Sequence, residues 1–138
     1  MNTYDETNIF AKILRKEIPC IKVYEDEQTL AFMDIMPQAD GHTLVIPKQA
    51  ATTIFQLTDE SAADLICKVK LVAAAVKKGL QAEGITLFQF NGAAAGQTVP
   101  HIHFHILPGS YASAKAHASV SAETTHLERI AKKIKSAF

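Results

Sequence analysis

Neither sign of charge is in excess. The chain carries 14 Lys and Arg against 14 Asp and Glu, a formal net charge of zero. A general nucleic-acid binder needs a basic surplus to neutralise phosphates, and a polybasic membrane module needs one to hold anionic lipid, so both classes are set aside. Cysteine is scarce. Cys20 and Cys67 stand far apart in no metal-type spacing, imply no disulfide framework and fit a reducing compartment. Cys67 falls in an apolar helical pattern and is expected to be a buried thiol. No run of about 18 apolar residues exists, so no transmembrane helix is expected. The opening MNTYDETNIF carries acids and lacks the apolar centre of a signal peptide. No repeat of about 20 to 50 residues appears, and there is no linker. What is present is 138 residues, 48% apolar and 20% charged, which excludes a disordered chain. One soluble, cytoplasmic domain spanning residues 1–138 is expected, burying roughly two-thirds of its unfolded surface.

Apolar Ile9, Phe10, Ile13 and Leu14 recur at helical spacing within Asn8–Lys16, with Asp5 or Thr7 as the cap and a stop before Pro19. Ile21–Glu25 and Thr29–Met33 read as two strands of a hairpin turned by Asp26-Glu27-Gln28. Met36–Gly41 is turn chemistry, and His42 opens a third strand, Thr43–Ile46, ended by Pro47. Thr58 caps the longest helix, whose Leu65, Val69, Val72, Val76 and Leu80 form one stripe before Gly84 stops it. Ile85–Phe90 is a central strand, Asn91–Pro100 a Gly-rich loop, and Ile102–Leu107 the last strand. A basic amphipathic helix, about Glu123–Lys135, follows, with Leu127, Ile130 and Ile134 on one face. The class is α+β: an antiparallel five-stranded sheet with one long and one short helix packed on one face, plus a C-terminal helix.

From Gly84 to Ala114 there is no Asp, Glu, Lys or Arg, yet His101, His103 and His105 lie there. Strand side chains alternate, so the three imidazoles share one face, while Ile102, Phe104 and Ile106 take the other. Three aligned histidines are poor packing. A metal site is one functional reading, but the three residues span about 13 Å at strand rise and no nearby carboxylate supports them. Anion handling with a histidine nucleophile is the other. Gly92 and Gly96 let the backbone approach a phosphate, and Gln97 and Thr98 add donors. A neutral imidazole whose other nitrogen is pinned by an acceptor can attack phosphorus and form a covalent intermediate.

His-Ile-His-Phe-His-Ile-Leu after Gly-Gln-Thr-Val resembles the signature of the histidine-triad family of nucleotide hydrolases and transferases. FMDIMPQADGHTLVIPK and NIFAKILRKEIP resemble two further family blocks in the same order, so the resemblance spans about Asn8 to Pro108 and leaves the tail, 109–138, unmatched. The resemblance implies a nucleoside phosphoramidase-like hydrolase acting at the α-phosphate of a purine nucleotide, or else a dinucleoside polyphosphate hydrolase or a nucleotide-binding scaffold. By the same resemblance His103 is the nucleophile, His105 contacts the α-phosphate, His101 orders the triad and His42 assists proton transfer. Asp34 holds the ribose hydroxyls. Ile35, with Phe10 and Ile13 or Ile18, forms the slot for the base, and Asn91, Gln97 and Thr98 contact phosphate. A homodimer is implied, joined through the long helices, whose Ala62, Ala63 and Ala73–Ala75 permit close approach or pack on the chain's own sheet.

Several positions depart from the pattern. Phe90 stands where many relatives have Asn or Gln, Pro100 replaces an aromatic or aliphatic residue, and Gly109 follows Leu107-Pro108 where an Arg is common. Asn8 and Ala11 occupy the Cys-x-x-Cys positions that bind zinc in some relatives, so no zinc and no cofactor are expected. His117 and His126, in the tail, are expected to be solvent-exposed.

Overall fold

The computed structural model describes residues 3–110 and 121–138, so His117 lies outside the described residues. Five strands form one antiparallel sheet in the order β1-β2-β3-β5-β4. They are β1 (Lys22–Glu25), β2 (Thr29–Met33), β3 (Thr43–Pro47), β4 (Ile85–Phe88) and β5 (Phe104–Pro108). The helices are α1 (Ile9–Leu14), α2 (Asp59–Gly79) and α3 (Thr124–Lys135). The β1–β2 hairpin forms as expected. Asp26 Oδ1 accepts from the backbone N–H groups of Gln28 and Thr29, each at 2.9 Å, which is the side-chain-mediated turn that Asp favours. Lys68 of α2 then bridges Asp26 and Asp64 at 2.7 and 3.1 Å, fastening the helix to that turn.

Alternation along the strands sends one set of side chains to each face. Ala31, Met33, Val45, Ile102 and Ile106 meet Leu65, Val69, Val72 and Val76 of α2 and Leu127, Ile130 and Ile134 of α3. Leu30, Phe32, Leu44 and Ile46 point the other way and pack against Phe10 and Ile13. The helices therefore do not share one face: α2 and α3 cover one side, and α1 crosses the other. A single apolar stripe on so short a helix is compatible with either side, so periodicity alone does not choose between them.

The helix termini are chemically specified. Asn8, rather than Asp5 or Thr7, caps α1, its Oδ1 accepting from Ala11 N at 2.9 Å. Thr58 caps α2 as expected, with Asp59 and Glu60 in the first turn and Lys77 and Lys78 in the last, complementing the helix dipole. The helix ends five residues before Gly84, where Gln81 enters the left-handed region and Ala82 N–H returns to Lys77 C=O. Gly79 has a packing reason: a Cβ there would lie 2.5 Å from the Lys133 carbonyl oxygen of α3. Ala73 and Ala75 pack into the chain's own core, whereas Ala63 and Ala74 face outward. Cys67 is exposed, not buried, because it lies on the outward side of α2 beside Ile66 and Leu71, which are also exposed. Among the described residues no helix is long and apolar enough to cross a membrane.

Gly41 lies directly before His42 at φ +93°. A Cβ there would collide with Leu80 Cδ1 and sit 2.9 Å from Pro108 Cγ. Gly41→Ala is expected to lower unfolding stability by about 1–3 kcal/mol through backbone strain and this contact, as read by urea denaturation.

Candidate functional site

The face of the sheet under α1 opens into a cavity of about 380 Å³. Its floor holds His42, His103 and His105; its walls include Phe10, Ile13, Ile18, Phe32 and Leu44; its rim includes Asp34, Ile35, Phe90 and Thr98. Among the described residues no Lys or Arg lines it. The expected alternation holds, with Ile102, Phe104 and Ile106 on the α2 side, although β5 begins only at Phe104. His101 and His103 precede the strand and belong to the loop leading into it.

The hydrogen-bond network assigns the tautomers of all four histidines. His103 Nδ1–H donates to the His101 carbonyl at 2.7 Å, so Nε2 holds the lone pair. His42 Nδ1 accepts the Gln38 backbone N–H at 3.0 Å, so its proton is on Nε2, which donates to His105 Nδ1 at 2.9 Å. His105 therefore carries its own proton on Nε2 and offers a donor. His101 is fully buried behind the others. Its Nε2–H donates to the Pro47 carbonyl at 2.8 Å, and its Nδ1 accepts the Tyr4 hydroxyl at 2.5 Å. Aromatic rings hold the imidazoles in place. Phe10 meets His103 edge-on at 4.9 Å, and Phe88 stacks on His105 at 4.2 Å with an 8° interplanar angle.

Burial keeps these rings neutral. It takes His42 and His101 down to about 4 and His105 to about 3, with the neighbouring His103 adding to each shift, and it lowers His103 as well. Asp34 lies 3.6 Å from His42 Nε2, so a carboxylate does stand beside the histidines, contrary to the expectation from sequence. The turn from Asp34 to His42 folds back on itself, with Asp34 N–H bonded to the His42 carbonyl, and no linear spacing reveals this. Burial also lifts Asp34 to about 6, partly offset by the Met36 N–H bond to its Oδ1. Both groups shift toward their neutral forms, which shows desolvation outweighing their mutual attraction.

Asp34, His42 and His105 also form, among the described residues, a group whose donor atoms lie within 4.8 Å of one another and so could hold a cation. A cation there would have to break the His42–His105 hydrogen bond. The other two triad members, His101 and His103, are not part of this group.

The remaining sequence candidates divide. Phe10, Ile35 and Thr98 line the cavity. Asn91 and Gln97 are taken up within the loop. Asn91 Oδ1 accepts from Ile54 N–H at 2.9 Å, and Gln97 ties Gly92 N–H to the carbonyls of Thr52 and Val99. They shape the loop that carries Gly96 and Thr98 to the rim. Sequence reasoning missed Tyr4 and Phe88. Phe88 sits directly across from His105 in the β4–β5 register, a cross-strand signal that pairing would have exposed. His126 is not simply exposed: its Nε2 lies 3.0 Å from Asp40 Oδ1. Ala122 N–H also bonds to the Ile35 carbonyl at 2.9 Å, so the C-terminal segment is fastened to the Asp34–Gly41 turn at two points.

Known proteins resemble this arrangement. A family model described as HIT domain matches residues 15–112. Adenosine 5'-monophosphoramidase hnt1 of Schizosaccharomyces pombe is 46% identical over 100 residues, 72% of each chain. Adenylylsulfatase HINT3 of Arabidopsis thaliana is 38% identical over 107 residues, 78% of this chain and 54% of that protein. The crystal structure of a HIT-like protein from Bartonella henselae, described as involved in cell-cycle regulation and holding an unknown ligand, superposes with a TM-score of 0.92 at 49% identity. It covers 99% of this chain and 100% of its own.

The neutral imidazoles predict an acid-labile fold. An unfolded histidine titrates near 6.5 and the buried ones well below it, so the unfolded chain binds extra protons as pH falls from 6.5 toward 4. Stability is full above 6.5 and is lost through that window. Asp34 opposes this, since its raised value favours the folded state progressively below 6. Four imidazoles outweigh one carboxyl, and a net loss on the order of several kcal/mol is expected. Thermal unfolding should show Tm falling between pH 7 and 5, with a shallower slope in His42→Gln; a flat wild-type profile would contradict the assignment.

Proposed function

This chain belongs to the HIT domain family, and from that premise we propose that it hydrolyses the P–N bond of purine nucleoside 5'-phosphoramidates through a nucleotidyl-histidine on His103. The observation that carries the reading is the tautomer of His103. Its Nδ1–H is held by the His101 carbonyl, so the Nε2 lone pair is available to attack phosphorus in a cavity that, among the described residues, no Lys or Arg lines. The similarity to the fission yeast phosphoramidase and to the adenylylsulfatase supports displacement at an adenylate-type α-phosphate.

The balance of the reaction is simple. His103 Nε2 attacks the α-phosphorus of the N-protonated phosphoramidate, the P–N bond breaks, and the amine departs neutral. The imidazolium so formed keeps its Nδ1–H on the His101 carbonyl, where an ionised donor makes a stronger bond. His105 directs Nε2–H at a phosphoryl oxygen, oriented by the proton it accepts from His42 at Nδ1. Water then attacks phosphorus, the P–Nε2 bond breaks, and nucleoside monophosphate and one proton leave. Asp34 accepts from the ribose hydroxyls, and the base lies between Ile35 and the Phe10, Ile13 and Ile18 wall. Thr98 donates at the phosphate end, with Asn91 and Gln97 holding the loop that presents it. No cofactor takes part in these steps. A lining with no Lys or Arg among the described residues suits a small amine leaving group better than a polyphosphate, which supports the phosphoramidate over the dinucleoside polyphosphate as substrate.

The same reading includes a homodimer. A groove of about 540 Å³ lies between α2 and the edge strand β4, lined by Ile66, Cys67, Ala74, Ile85 and Leu87. Covering this apolar edge with a second copy would bury exposed Ile66 and Leu87 and shield unpaired strand edge. Two unpaired thiols, Cys20 and Cys67, fit the cytoplasm.

AMP release from adenosine 5'-phosphoramidate and from a diadenosine polyphosphate, measured in parallel with EDTA present, tests the chemistry. Faster turnover of the phosphoramidate is expected, with His103→Ala losing at least about 10³-fold as expected for a nucleophile. Full activity in His103→Ala would exclude the mechanism, and preference for the dinucleotide would move the assignment to the second reading. Light scattering should give twice the chain mass for the wild type and a monomer for Ile66→Glu.

A further inference from the structure

We propose that Tyr4 is a positioning residue of the triad: its hydroxyl locks the ring of His101 and thereby holds the His101 carbonyl that orients the His103 nucleophile. The inference rests on the hydrolase reading for its kinetic consequence, but not for its geometry.

The sheet does not hold this part of the chain. The β3–β5 ladder pairs Thr43 with Ile106, Leu44 with His105 and Val45 with Phe104, and goes no further. His101–His103 lies beyond its end. There the backbone is held by Ile102 N–H on the Ala51 carbonyl and His101 N–H on the Val99 carbonyl, each at 2.9 Å. The carbonyl that matters, that of His101, is engaged by His103 itself. The orientation of this residue therefore depends on its own side chain, which is anchored at both nitrogens.

One anchor is the Pro47 carbonyl at 2.8 Å, which must accept, so His101 Nε2 must carry the proton. Nδ1 is then an acceptor, and the Tyr4 hydroxyl, 2.5 Å away, must donate to it. The direction of every bond is determined. Asn8 completes the chain: its Nδ2 donates to the Tyr4 oxygen at 2.9 Å and to the Asp5 carbonyl at 2.7 Å, while its Oδ1 caps α1. The Tyr4 ring also meets the His101 ring edge-on at 5.6 Å. One residue, Asn8, thus couples the start of α1, which carries Phe10 onto His103, to the phenol that fixes His101.

Removing the hydroxyl leaves His101 Nδ1 a buried acceptor without a donor, which the ring can relieve only by turning or changing tautomer. Either response releases Nε2–H from Pro47 and shifts the carbonyl under His103. The expected phenotype lies in the chemical step and not in substrate binding, because neither Tyr4 nor His101 lines the cavity.

The test compares the wild type, Tyr4→Phe, and a chain with 3-fluorotyrosine at position 4, which keeps the hydroxyl. Long-range proton–nitrogen spectra of the imidazoles read the His101 tautomer without substrate. Tyr4→Phe should move the His101 Nδ1 resonance toward a free acceptor nitrogen or convert it to a protonated one; an unchanged resonance overturns the proposal. On adenosine 5'-phosphoramidate, Tyr4→Phe should lower kcat about tenfold with KM within about twofold, as for a misaligned reacting group, and the fluorinated chain should restore it. An unchanged kcat, or a loss confined to KM, overturns the positioning role. Absence of turnover in the wild type would defeat the hydrolase reading alone, and the tautomer spectra would still decide whether Tyr4 locks His101.

Discussion

The hydrogen bond from His103 Nδ1 to the His101 carbonyl, 2.7 Å long, decides which nitrogen of a buried imidazole keeps its lone pair. An imidazole in water shares its proton between two nitrogens, and half-committed tautomers make indifferent nucleophiles. Here the backbone makes the choice, and the rest of the site protects it. Among the described residues no lysine or arginine lines the cavity, whose polar side chains include neutral imidazoles and one carboxyl. Desolvation holds His42, His101 and His105 neutral near pH 7. The charge-free stretch from Gly84 to Ala114 is the sequence's record of that requirement.

Neutrality also explains the ring contacts. A stacked pair such as Phe88 on His105 and an edge contact such as Phe10 on His103 suit uncharged aromatic rings, and they restrict rotation without offering competing donors. The polar contacts that remain run in one direction, from Gln38 N–H through His42 to His105. His42 and His101 have both nitrogens committed to the protein, whereas His103 and His105, which line the cavity, commit Nδ1 and leave Nε2 for a ligand.

Much of this is legible in the chain, because alternation is a local property. His101, His103 and His105 on one side of Ile102, Phe104 and Ile106 follow from a period of two, and the stripe on α2 follows from a period of 3.6. What is illegible arises from returns of the backbone. Asp34 approaches His42 only because the intervening turn closes, Tyr4 reaches His101 across 97 residues, and the apolar stripe of α1 is compatible with either face of the sheet. Asn91 and Gln97 show a subtler limit. Composition marks them as donors near a phosphate loop, but a side chain's direction depends on neighbours such as Ile54 and Thr52 that come from elsewhere. Cys67 shows the converse: an apolar setting in sequence becomes an outward apolar face when the helix has two sides to cover.

Segments far apart in sequence flank one cavity from opposite sides. Tyr4 lies behind His101, outside the cavity's lining, and Ala122 and His126 clasp the turn that bears Asp34 and Ile35 at the mouth. A chain leaves the ribosome from its N-terminus, so the phenol waits through most of synthesis for a histidine nearly a hundred residues downstream. The clasp on the mouth comes later still in synthesis, since it needs residues 122 and 126. The candidate pocket therefore lacks its clasp until residue 126 has been made, and a nascent or truncated chain that stops short of it would carry the triad's sequence without that contact.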